Sequence, residues 1–256
     1  MYKKIVFLSL GAVILITGGI HFGNQDFLSI KNSSVFAEEI LKSGQKLYSQ
    51  NNEELIIRDF FNDRKGGIFL DVGCAHYMEM STTYYLERHL EWQGVAVDAL
   101  AEFAAGYAQN RSNTKFFNFI VTDHSGQREL FYRLISAPGL SSDNKNSTQK
   151  AAEYFQVPKE YQVISVPTIT LTELLGKNGI SKIDFLSLDI EGAELKALAG
   201  FDIQRFKPEL VCIEVRPGFS DKILDYFNAH SYERIDKYLK YDNANWYFRP
   251  KDSEVL

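Results

Sequence analysis

The sequence predicts an α/β fold, a mostly parallel sheet with helices on both faces. Three observations carry that expectation. From Ser49 onward, short apolar runs alternate with amphipathic stretches at helical spacing. The first four runs finish at acids, namely Asp71, Asp98, Asp123 and Asp189. Helices between successive strands supply the right-handed crossovers that parallel pairing requires.

Each element can be justified in turn. Leu55, Ile56, Asp59 and Phe60 fall at helical spacing, so 53–61 reads as an amphipathic helix, and Arg64-Lys65-Gly66 ends it. The run 67–72 (GIFLDV) is a buried strand. Ser81 can cap a helix over 82–90. GVAV at 94–97 is a second strand, and 101–110 a helix. KFFNFIV at 115–121 reads as one third strand. The stretch 124–167 is less regular. It offers a strand over 128–134, a polar loop over 137–148 and a short helix over 151–155. Thr170 can cap a helix that begins at Leu171. IDFLSL at 183–188 is a fourth strand, 194–199 a helix stopped by Gly200, LVCIEV at 210–215 a fifth strand, and 221–230 a helix. Segments 232–238 and 245–248 can close the sheet as an antiparallel pair around Asp242-Asn243.

Composition narrows the function. The chain has 256 residues, 45% hydrophobic and 24% charged, which excludes a disordered chain and a polytopic membrane protein. A net charge of −5 provides no global field for nucleic acid, so no nucleic-acid partner is expected. Two cysteines are too few for a disulfide scaffold or a four-cysteine zinc site.

The N-terminus stands apart. Met1–Lys4 is basic, and 5–20 (IVFLSLGAVILITGGI) carries no charge. This is the pattern of a signal peptide or signal anchor. The small-residue site Val35-Phe36-Ala37 lies far beyond Ile20, which favours an uncleaved single-pass anchor. The expected organisation is a membrane anchor or signal segment over 1–23, a linker over 24–48 and one domain over 49–256. Lys3 and Lys4 before the run balance Lys31 and Lys42 after it, so the side of the membrane stays open.

Open parallel sheets bind ligands outside the carboxyl ends of their strands. Four acids at that edge, joined by Glu191, therefore form a candidate site. Gly73 can bring backbone close to a ligand, with Cys74 and Ala75 beside it. Asp98, at the end of the second strand, can accept the hydroxyl protons of a ribose. That geometry suits either a nicotinamide dinucleotide or S-adenosylmethionine. A dinucleotide prefers several loop glycines to cradle its pyrophosphate, and Gly73-Cys74-Ala75-His76-Tyr77 has one. S-adenosylmethionine has no phosphate, and its cationic sulfonium and ammonium suit acids, so the residues favour the methyl donor. Asp189, Glu191, His76 and His124 are candidate general bases. No spacing signature calls for a metal.

Several stretches then match a known family. They are Ser49-Gln50 with Glu53-Glu54, GIFLDVG with 81–87 (STTYYLE), 92–99 (WQGVAVDA), 123–126 (DHSG), 168–171 (TITL), 183–195 (IDFLSLDIEGAEL) and Cys212-Ile213-Glu214. In this order and spacing the chain resembles the FkbM-type S-adenosylmethionine-dependent methyltransferases. The resemblance implies a Rossmann-like class I fold with a seven-stranded sheet and a terminal antiparallel strand. It implies that the loop of Asp71, Gly73, Cys74 and Ala75 holds the methionine part of the cofactor. Asp98 and Ala99 would meet the ribose, Thr122 and Asp123 the adenine, and Asp189 the methyl group and acceptor. It also places the two cysteines apart, on strands one and five. Tyr77 stands where the family commonly has glycine, and Thr82 where it has asparagine. The expected activity is methylation of a sugar, glycan or small-metabolite hydroxyl. The alternatives are a membrane-tethered, non-catalytic cofactor-binding module and an NAD-linked oxidoreductase.

Overall fold

The computed structural model describes residues 40–42 and 45–252. The expected anchor over 1–23 lies outside them. Among the described residues, no helix is long and apolar enough to cross a membrane.

In chain order the first elements are α1 (Glu53–Phe61), β1 (Ile68–Val72), α2 (Tyr84–Leu90), β2 (Gln93–Asp98), α3 (Ala104–Asn110) and β3 (Thr114–Asn118). Then come β4 (Ile120–Val121), β5 (Arg128–Leu134), α4 (Lys145–Tyr154), β6 (Tyr161–Ile169), α5 (Leu171–Lys177) and β7 (Phe185–Leu188). The chain finishes with α6 (Glu194–Ala199), α7 (Ile203–Phe206), β8 (Leu210–Glu214), α8 (Ser220–Ala229), β9 (Tyr232–Arg234) and β10 (Asn245–Pro250). A seven-stranded sheet has the order β3-β2-β1-β7-β8-β10-β9. Its first five strands are parallel, and β10 runs antiparallel to both β8 and β9. Strand order reverses between β1 and β7, which sets the switch point there.

Strand alternation divides the core into two layers. Leu70, Val72, Leu186, Leu188, Val211 and Ile213 face α5, α6 and α8. Phe69, Phe185, Leu210, Cys212 and Tyr247 face α1, α2 and Trp92. Both thiols are free and buried, and β7 lies between β1 and Cys212 on β8. The packed chain begins before Ser49. Ile40 is buried, and the Leu47 and Tyr48 N–H groups donate to the Glu54 carboxylate at 3.1 and 3.0 Å.

Two expectations need correction, and a stretch read only as less regular holds a strand. KFFNFIV is two strands. The Phe119 N–H turns back to the Asp98 carbonyl at 3.1 Å, and Ile120-Val121 leaves the main sheet to pair with Thr168-Ile169. The polar stretch 137–148 is not all loop. Asn144 Oδ1 accepts from the Asn146 and Ser147 N–H groups, and this cap starts α4 six residues before Ala151. Finally, 161–169 is a strand. It pairs along its length with β5 and shares a three-stranded sheet with β4.

Candidate active site

The carboxyl ends of β1, β2 and β7 open into a cavity of about 550 Å³ including its mouth. Gly73 and Ala75 form one side and Asp98 and Ala99 another. Asp189, Glu191 and Ala193 come from the loop after β7. Phe119, Ile120, Val121 and Phe131 give an apolar wall. Pro138, Gly139, Ser141 and Asp143 reach in from the segment before α4.

Gly73 is required here by chain packing. Its φ is +79°, and an added Cβ would lie 1.7 Å from the Asp189 carbonyl oxygen. The two strand-end loops therefore touch backbone to backbone. Asp98 holds its own surroundings. Oδ2 accepts from the Ala75 N–H at 3.0 Å and Oδ1 from the Leu100 N–H at 2.8 Å. Burial outweighs these bonds and pushes its carboxyl up to about 6.

Asp189 lies at the switch point. Its Oδ1 is buried. Asp189 and Glu214 are neighbouring carboxyls, and together with Glu194 they bring one oxygen each within 4.8 Å of one another. Burial raises both Asp189 and Glu214, so the pair retains a proton well above the carboxylate range. Arg216 faces the charge that remains. It donates to Glu214 Oε2 at 2.7 Å and to Glu191. Glu191 sits at φ +61°, and its carbonyl accepts from Ser142 Oγ at 3.2 Å, which ties this loop to the segment before α4. Glu194 was not singled out from the sequence. Its Oε1 accepts from the Ile190 and Gly192 N–H groups at 3.0 Å each, and burial pushes it up to about 7. Its signal was the acid three residues beyond Glu191, able to reach back over a helix start.

Other predicted residues lie away from the cavity. Asp71 points to the opposite face of β1 and accepts from Thr83 Oγ1 at 2.7 Å. Cys74 packs with Ala96 and Tyr107. The His76 ring accepts from the Glu79 N–H at 2.9 Å and lies tilted against the Tyr77 ring. Tyr77 packs against the cluster of Cys74, Ala96 and Tyr107 and lies against Gly106. Thr122 is buried and bonds Asp123. The Asp123 carboxyl pairs with His124 at 2.7 Å, and that bond holds it below its ordinary value.

The family comparison decides what this cavity serves. The model of the methyltransferase FkbM domain matches residues 71–242. The chain belongs to that family. Its methyl donor is S-adenosylmethionine. Among solved structures, the chain is similar to a TehB-like SAM-dependent methyltransferase from Corynebacterium glutamicum. Identity is 12%, 87% of this chain and 100% of that one are covered, and the TM-score is 0.44. It is similar to 1,6-didemethyltoxoflavin-N1-methyltransferase from Burkholderia thailandensis at 12% identity, covering 92% and 94%, with a TM-score of 0.42. It is also similar to methyltransferase FkbM from Methylobacillus flagellatus at 10% identity, covering 87% and 60%, with a TM-score of 0.40. No curated protein matches the sequence.

The residues present fit the methyl donor. The apolar wall suits a flat base, and Asp98 at the end of β2 suits a diol. The acids after β7 suit a cation, and Asp189 among them lies on the cavity lining.

Proposed function

We propose that this FkbM-family methyltransferase methylates a hydroxyl oxygen of a sugar, glycan or small metabolite. The observation that carries the reading is Asp189, a carboxyl on the cavity lining that shares one proton with Glu214 behind it. S-adenosylmethionine supplies an electrophilic methyl group on a cationic sulfur. Asp98 orients the ribose. Asp189 accepts the proton of the acceptor hydroxyl as oxygen takes the methyl group. Glu214 and Arg216 keep the charge on Asp189 tolerable in a buried place. Positioning supplies much of the rate in such an in-line displacement.

Calorimetry on the purified chain tests the cofactor, and Asp98→Ala weakens binding by at least tenfold on this reading. Labelled S-adenosylmethionine with native glycan and metabolite extracts, read by mass spectrometry, then tests the acceptor. A product carrying the label on nitrogen or carbon refutes the O-methyl assignment. A chain that binds the donor and methylates nothing across the panel favours the binding-module reading instead.

We also propose that residues 5–20 tether the domain to a membrane, on the strength of their uncharged sequence behind a basic start. Protease protection on intact membranes reads the side on which the domain lies. Recovery of the full chain in the soluble fraction overturns the tether.

A further inference from the structure

We propose that Tyr107 and Arg111 are positioning residues for the methyl donor. They clamp the Gly73–Tyr77 loop from behind without reaching the cavity. The inference rests on the reading of that cavity as the S-adenosylmethionine site.

The loop has an unfavourable shape that something must hold. Gly73 lies at φ +79° and Ala75 at +45°, which a non-glycine residue adopts at a cost. Three backbone groups are fixed. The Ala75 N–H donates to Asp98 at 3.0 Å. The Cys74 carbonyl accepts from the Tyr107 hydroxyl at 3.2 Å. The Tyr77 carbonyl accepts from Arg111 Nη1 at 2.9 Å. Asp98 lines the cavity, whereas Tyr107 and Arg111 do not.

Arg111 is itself fixed. It is 3% exposed, and its Nε pairs with Glu87. Nη2 donates to Thr83 Oγ1 at 3.2 Å and Thr114 Oγ1 at 3.1 Å. Thr83 in turn donates to Asp71 on β1 at 2.7 Å. The guanidinium thus has one geometry, and its fork joins α2, β3 and the loop. A buried ion pair is weak evidence for stability, because apolar residues of equal volume often do as well. Direction is what such a residue supplies. Arg111 delivers a charged donor to one carbonyl of the loop, and Tyr107 delivers a hydroxyl to another. This assignment also accounts for Tyr77, whose ring packs against Gly106 on α3, the helix that carries Tyr107 and leads to Arg111.

The test uses the full chain and two ligands. S-adenosylmethionine reaches the loop with its amino-acid end, and 5′-methylthioadenosine lacks that end. Tyr107→Phe removes one hydroxyl and little volume. Arg111→Lys keeps the charge and loses the fork. Calorimetry should give a dissociation constant for S-adenosylmethionine raised about three- to tenfold in Tyr107→Phe and at least as much in Arg111→Lys, the worth of one or two hydrogen bonds. Methylthioadenosine affinity should stay within twofold, and amide exchange should quicken at 73–77. If wild type binds S-adenosylmethionine and the Tyr107→Phe variant binds it equally well, the clamp is wrong and the cavity reading stands. Equal weakening for both ligands also overturns the clamp, since general loosening explains it. Absence of binding by wild type overturns the cavity reading and the clamp together.

Discussion

Gly73→Ala tests whether the glycine serves chain packing. The new Cβ would sit 1.7 Å from the Asp189 carbonyl oxygen and 2.8 Å from its carbon. That carbonyl cannot easily retreat. The Asp189 N–H is bonded to Val72 at 3.0 Å, and the Gly73 N–H to Val97 at 2.9 Å. Two costs therefore add. A side chain at φ +79° costs about 1–2 kcal/mol. Relief of the clash by backbone shifts costs about 1–3 kcal/mol. For a domain near 200 residues, each kcal/mol lowers the melting temperature by about 2–4 °C, so the loss is about 4–20 °C. Gly126→Ala is the control. Its φ is +80° and nothing lies within 4 Å of the added Cβ, so it pays the strain alone, about 2–8 °C. Differential scanning fluorimetry without ligand reads both. If the two variants fall together at the small end, the close approach to Asp189 is not what requires glycine.

Three further outcomes are expected. Asp71, Asp98 and Glu194 titrate higher in the folded state than in the unfolded chain, at about 6, 6 and 7. Their contribution is therefore complete below about pH 4 and is lost as pH rises through 6–7. Glu194→Gln keeps both loop acceptor bonds and removes one titration, so it should gain about 2 kcal/mol on wild type at pH 8 and little at pH 5, read by urea midpoints. Glu214→Gln leaves a neutral donor facing Asp189 and should hold kcat within about threefold at pH 7.5 while flattening the alkaline limb of the profile, whereas Asp189→Asn should lose about 10²–10⁴; equal losses in the two would remove Asp189 from its role as base. Asn144→Ala deletes the cap of α4 and should cost about 1 kcal/mol, seen as faster amide exchange in 145–150.

The main sheet was legible because its strands are short, apolar and bounded. Phe185–Leu188 is buried at every position, and Thr170 caps α5 through the Glu173 N–H at 3.1 Å, both readable from residue type alone. The small sheet was not. Gln162, Val163 and Ser165 of β6 are exposed without a period-two alternation, and Pro167 gives up a ladder donor, so local pattern carries little weight against the partner β5. The break inside KFFNFIV is likewise tertiary, since only the Asp98 carbonyl and the β4–β6 pairing pull Phe119 out of line.

The acids at the strand ends show how far such reading reaches. Asp71, Asp98 and Asp189 follow strands of the main sheet but the pleat separates them, and Asp123 follows β4 in the small sheet, away from that edge. Val72 lines the cavity, so Asp71, one residue earlier, points to the other face and joins Thr83 and Arg111. Asp98 and Asp189 close their strands from positions that lead into loops, and these two line the cavity. The difference matters for interpreting variants. On the proposed ribose role, loss of binding in Asp98→Ala would combine a lost ribose contact with a freed Ala75 N–H. Asp71→Asn touches neither the cavity nor the loop directly and should act through Arg111. Donor affinity that falls in Asp98→Ala but recovers in Asp98→Asn would assign the larger share to orientation of the loop, because an amide oxygen can still accept from Ala75.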